Sequence, residues 1–179
     1  NKINIIDTPG YDDFVGEVIS ALRVADTGIM VLNAQHGVEV GTELIWEYTE
    51  KFNAPMMFVV NQVDADKADF DATVEQAQER FGANVAVVQF PYKQGNDFNA
   101  IIDVLKMVMY EFPDDGGKPK KLSIPDDVAD KAEELHNELV EAIAVNDEGL
   151  MELFFEKGEL SEEEMAKGLK ISMMNHEIF

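Results

Sequence analysis

The sequence predicts an α/β fold, a mostly parallel sheet covered by helices and followed by a smaller α+β unit. Three short apolar runs, each closing on a polar residue, alternate with amphipathic helical stretches. None of the three alternates apolar with polar, which is the pattern of strands covered on both faces. After Gly82 the rhythm breaks and gives way to loop composition and a long acidic helical stretch.

The first run, Ile3–Ile6, ends at Asp7 and predicts a buried strand. Val15, Val18, Ile19 and Leu22 then repeat at helical spacing. The second run, Gly28–Leu32, ends at Asn33, and a helix follows around Leu44, Ile45, Tyr48 and Phe52. Trp46 is expected to pack that helix against the sheet. The third run, Met56–Val60, ends at Asn61, and Ala68–Phe81 reads as a helix with Phe70, Val74, Ala77 and Phe81 on one side. In such folds ligand groups collect at the carboxyl ends of the strands.

Beyond Gly82, Ala86–Phe90 and Ile101–Tyr110 read as strands, the second equally open to a helical reading. The stretch from Phe112 to Pro119 is loop composition. A helix is predicted over 126–145 with Val128, Ala132, Leu135, Leu139 and Ile143 as its apolar stripe. Ser161 and Glu164 have the spacing of a capping box that opens a last helix. These boundaries divide the chain into a first unit, 1–83, and a second, 84–179, whose end runs back toward the first. No internal repeat is visible.

Composition limits the function classes. Of the 179 residues 46% are hydrophobic, enough for one sizeable core or two small ones. The formal charge is −22, and Asp126–Lys167 alone carries net −12. A field of that sign repels phosphate backbones and suits basic protein partners over direct nucleic-acid contact, or else serves only as a solvated surface that keeps the protein in solution. Without cysteine, neither disulfides nor thiolate metal sites form. The longest apolar run, Ala54–Val60, is far too short to span a bilayer. The chain opens in a strand-like run without a methionine or a signal-peptide pattern, so a cytoplasmic piece of something longer is expected.

Two motifs carry chemistry. Asp7-Thr8-Pro9-Gly10 ends the first run. By itself this is also an ordinary turn, but a nucleoside-triphosphate site needs a carboxylate there to orient Mg²⁺ through water and a glycine whose N–H can approach a terminal phosphate. Asn61-Gln62-Val63-Asp64 ends the third run and is similar to the Asn-Lys-x-Asp guanine motif. There an Asp carboxylate accepts from guanine's ring N–H and its exocyclic amine, a donor pair adenine lacks. The Asn braces the loop. His36, His136 and His176 lack metal-ligand spacing and read as surface or packing residues. Asp12-Asp13 reads as acids favoured at a helix start, and the pairs Met56-Met57 and Met173-Met174 as core or interface filling.

The run Asn4-Ile5-Ile6-Asp7-Thr8-Pro9-Gly10, with Asp13-Phe14, Glu17-Val18 and Ala21-Leu22-Arg23-Val24-Ala25-Asp26, resembles elongation factor G. Gly37-Val38-Glu39, Gln76–Gly82 and Phe98–Leu105 extend the resemblance into that family's insert domain. The Ile101-Ile102-Asp103 stretch favours it over the ribosomal protection proteins of tetracycline resistance, which share the earlier motifs.

The resemblance implies part of a P-loop GTPase fold lacking its first strands, plus an α+β insert. It implies a ribosomal translocase using GTP and Mg²⁺, with the insert near the ribosomal stalk protein. Carried over by motif, Asp7, Thr8, Pro9, Gly10 and Tyr11 face the phosphate side, Asp7 toward the metal through water. Asn61, Gln62, Val63 and Asp64 face the base. Nothing matches Gly-x-x-x-x-Gly-Lys-[Ser/Thr], so no GTP, GDP or Mg²⁺ is expected bound to this stretch alone. Tyr11 stands where the family has a water-positioning His, which points to slow hydrolysis and to a second reading, a ribosome-binding module with nucleotide as conformational ligand. Gln62 replaces the motif's Lys. Finally, the family's phosphate-loop strand lies beside Ile3–Ile6, so that strand is expected to be displaced, paired to another copy, or closing the gap.

Overall fold

The computed structural model describes residues 2–113 and 115–179, and of Asp12 the backbone alone. The stretch at 112–119 is therefore described except at Asp114, which lies outside the described residues; so does the Asp12 side chain of the Asp12-Asp13 pair. The elements are α1 (Val15–Leu22), β1 (Gly28–Asn33), α2 (Val40–Phe52), β2 (Met56–Asn61) and α3 (Phe70–Phe81). They continue with β3 (Gln89–Pro91), β4 (Ala100–Asp103), β5 (Val108–Glu111), β6 (Lys120–Leu122), α4 (Asp126–Val145), α5 (Glu148–Lys157) and α6 (Glu162–Met174). Short 3₁₀ turns occupy Asp12–Phe14 and Gly95–Asp97.

The α/β reading holds, with a parallel and an antiparallel sheet. β1 and β2 pair in parallel from Gly28↔Met56 to Asn33↔Asn61, so both strands end level. β3, β4, β5 and β6 form an antiparallel sheet in sequence order. The segment 101–110 is neither one strand nor a helix. It is a β4–β5 hairpin whose turn holds Met107 at φ 51. Of the run Ala86–Phe90, only its end belongs to a strand.

The predicted first strand does not form. Residues 2–10 have no regular structure, and Ile3 and Ile5 are 83% and 88% exposed. Among the described residues no backbone hydrogen bond reaches them, and a strand without a partner leaves its N–H and C=O groups to water. The expectation of two covered faces also fails for β1 and β2. Met30, Leu32 and Met56 are buried, while Ile29, Val31, Met57 and Val59 on the opposite face are exposed.

Two cores result. One gathers Met30, Leu32, Trp46, Met56, Ala77 and Phe81. Trp46 packs α2 on the sheet as expected, its ring 5.5 Å from Phe58, 4.7 Å from Phe81 and 4.9 Å from Phe179. Each such pair adds roughly 0.5–1.5 kcal/mol beyond the area it buries. The other core joins Phe90, Ile102 and Val104 to Leu139, Ile143, Leu150 and Met165 of α4–α6, with Phe70 of α3. The chain returns at its end: Phe179 N–H donates to the Asn84 carbonyl (3.1 Å) and its carbonyl accepts from Ala86 N–H (3.1 Å).

Caps fix the helical unit. Asp147 accepts from Gly149 and Leu150 N–H at the start of α5, a helix the composition does not signal. The Ser161–Glu164 capping box forms in full, both side chains bonding the other residue's N–H. Gly168 lets α6 lie against α4 and α5, because a Cβ there would meet Ile143 and Leu150.

Candidate functional site

Asn61–Asp64 leaves the carboxyl end of β2 as a turn, with Ala65 N–H donating to the Gln62 carbonyl at 3.1 Å. Parallel pairing sets Asn33 beside Asn61, and two contacts follow from that level ending. Ala34 N–H donates to the Asn61 carbonyl (2.9 Å), and the Asn33 amide donates to Gln62 Oε1 (2.8 Å). Gln62 sits at φ 59, a left-handed conformation uncommon for a side-chain-bearing residue. Val63 is half-buried, whereas Asn61, Gln62 and Asp64 are exposed. The loop thus offers a solvent-facing carboxylate with amides beside it, a set that matches guanine's N1–H, 2-amino and O6 groups.

The loop rims an open cavity of about 560 Å³ between β2 and the run Val85–Pro91. The rest of its lining is mostly apolar and includes Phe70, Val87, Phe90, Leu169, Met173 and Ile178.

Asp7-Thr8-Pro9-Gly10 lies in the unpaired N-terminal stretch, with Thr8 half-buried and its neighbours exposed. Tyr11 is 79% exposed, and its carbonyl accepts from Phe14 N–H (2.9 Å), starting the 3₁₀ turn into α1. No hydrogen bond or ion pair among the described residues joins 7–11 to 61–64. The two motifs are each present but unlinked. The first motif offers Mg²⁺ one carboxylate, Asp7, and no group of three or more His, Cys, Asp or Glu gathers among the described residues. That donor set fits an ion held mainly by water and phosphate oxygens, as Mg²⁺ commonly is.

Of the histidines, His136 packs rather than ligates. Its Nδ1 lies 2.8 Å from the carbonyl of buried Val104, and because a carbonyl only accepts, Nδ1 carries the proton. Of the methionine pairs, Met56 is buried while Met57 and Met174 are exposed.

Sequence reasoning missed four residues. Asn33 holds Gln62. Gln94 Oε1 accepts from Phe70 N–H (2.6 Å), Gly95 N–H donates to the Val63 carbonyl (2.8 Å), and Asn96 Nδ2 donates to Asp66 (2.8 Å). The turn composition Gly95-Asn96-Asp97 is the one available signal, and it says nothing of which loop the turn meets.

No helix is long and apolar enough to cross a membrane among the described residues. Residues 1–174 match the family described as the elongation factor Tu GTP binding domain. Among solved structures the chain is similar to a crystal structure of a protein from Thermus thermophilus, at 30% identity and a TM-score of 0.86 over 96% of this chain. The chain spans 26% of that protein's length.

Proposed function

Because the chain belongs to the elongation factor Tu GTP-binding domain family, we propose that it forms the base-recognition part of a GTP-binding translation factor, acting in ribosomal translocation in the cytoplasm. Asp64 reads the guanine edge, Asn61 and Gln62 support its loop, and Asp7 with Thr8, Pro9, Gly10 and Tyr11 serves the phosphate and Mg²⁺ side. Residues 1–83 make up the nucleotide-binding unit and 84–179 an insert. The acidic helices of that insert suit a basic face of a ribosomal protein such as the stalk protein, by complementarity of charge.

The observation that supports this most is the Asn61–Asp64 turn at the level ends of two parallel strands, braced by Asn33. The test is nucleotide selectivity of the full-length protein. Asp64→Asn is expected to cut the preference for GDP over inosine diphosphate about tenfold or more, since it replaces an acceptor for the 2-amino group by a mixed donor. Unchanged selectivity would falsify the base-site reading.

Tyr11 supports a second reading. A phenol is longer than the family's imidazole and places its oxygen differently, so water positioning suffers. The nucleotide then serves as a conformational ligand with little hydrolysis. Equal multiple-turnover support of translocation by GTP and a non-hydrolysable analogue favours this reading; dependence on GTP excludes it.

A further inference from the structure

We infer that the turn Gln94-Gly95-Asn96 is a positioning brace for Asp64, so that the second unit sets how sharply the loop discriminates guanine. The inference rests on the base-site reading above and adds residues to it.

The loop between β2 and α3 is tied to the end of β1 near its two ends, by the Asn33 amide to Gln62 and by Asp69 N–H to the Ala34 carbonyl, both at 2.8 Å. Around Asp64 it rests on local bonds. Its internal backbone bonds include Ala65 N–H to the Gln62 carbonyl and Ala68 N–H to the Ala65 carbonyl, at 3.1 and 2.9 Å. Exposed loops resting on local bonds open readily. Three consecutive residues from the other unit restrain it at points on both sides of Asp64. Gly95 N–H donates to the Val63 carbonyl at 2.8 Å, one residue before. Asn96 Nδ2 donates to the Asp66 carboxylate at 2.8 Å, two residues after, a charge-assisted bond stronger than a neutral one. Gln94 Oε1 accepts from Phe70 N–H at 2.6 Å, an N–H of the first turn of α3 that lacks a partner within the helix.

Gly95 makes the arrangement possible. It sits at φ +69, and an added Cβ would lie 3.7 Å from the Ala65 carbonyl, so space permits a side chain while the conformation disfavours it. That conformation aims the Gly95 N–H at Val63 while its neighbours' side chains reach Phe70 and Asp66. Fixing the backbone at 63 and the side chain at 66 narrows the directions open to the Asp64 carboxylate. Two parallel bonds to guanine need that direction, because hydrogen bonds weaken steeply as they bend.

The experiment measures GDP and inosine diphosphate affinity for the full-length protein and for Asn96→Ala, Gln94→Ala and the exchanged pair Asn96→Asp with Asp66→Asn. The preference for GDP is expected to fall about three- to tenfold in Asn96→Ala and in Gln94→Ala. The exchanged pair, which restores the bond with donor and acceptor swapped, is expected to recover it. A general loss of folding lowers both affinities together and leaves their ratio alone. An unchanged ratio in both single variants overturns the brace while leaving the base site standing. A wild-type protein without any GDP preference overturns the base site and the brace with it.

Discussion

The side-chain amide of Asn33 donates to Oε1 of Gln62 at 2.8 Å, tying the end of β1 to a loop 29 residues later. The same side chain's oxygen accepts from Gln35 N–H at 2.8 Å, so both halves of the Asn33 amide are used. Asn33→Ala is expected to cost about 1 kcal/mol in urea unfolding. Faster amide exchange at Val63 and Asp64 should accompany the loss; unchanged exchange there would mean the loop is held without Asn33.

Tyr11 carries its hydroxyl into solvent, and only its backbone carbonyl has a described partner. Tyr11→His in the full-length protein is expected to raise ribosome-stimulated GTP turnover about tenfold or more, since positioning dominates this chemistry. Single-turnover rates for the two proteins decide it. Equal, brisk rates would show that the phenol positions water as well as an imidazole.

Gly168 has no room for a methyl group against Ile143 and Leu150. Gly168→Ala is favourable for an isolated helix, yet overpacking here is expected to outweigh that gain and lower stability by about 1–3 kcal/mol. A thermal melt that rises instead would show that α6 slides away from α4 at little cost.

The hydroxyl and then the backbone N–H of Ser161 hold the Glu164 carboxyl below its ordinary pKa, with a smaller contribution from Lys157. A carboxyl whose pKa is lower folded than unfolded stabilises the fold above its unfolded pKa. That stabilisation disappears as pH falls through the folded value. Ser161→Ala is therefore expected to raise the Glu164 pKa toward normal in an NMR titration. The wild-type advantage in stability should be larger at neutral pH and shrink in acid to the part contributed by the Ser161 hydroxyl accepting from Glu164 N–H. A difference of the same size at both pH values would assign the cap's contribution to the hydroxyl–Glu164 N–H bond alone.

Legibility in the sequence followed how local the cause was. The 126–145 helix and the Ser161–Glu164 box depend on spacing within one segment, and both appear as read. Ile3–Ile6 carries the apolar pattern of a buried strand, but burial needs neighbours, and the pattern cannot report whether they are there. The β4–β5 turn escaped because its left-handed residue is Met107 rather than a glycine or asparagine. At the site, Asn61–Asp64 was readable because it closes an apolar run. The partners of that loop are distant in the chain: Asn33 lies 29 residues from Gln62, Gln94 24 from Phe70 and Asn96 30 from Asp66. No rule of spacing links those pairs, and tertiary pairing alone brings them together.

Helix α3 gives Phe70 to the core of the antiparallel sheet, and Ala77 and Phe81 to the core around Trp46. Neither core can lose its order without stripping one end of that helix, so denaturation should run as a single cooperative event. Trp46 is the chain's one tryptophan, and its emission follows one core while circular dichroism follows the helices, most of which sit on the other. Superimposable melting curves from the two signals are the signature of α3 acting as a common spine.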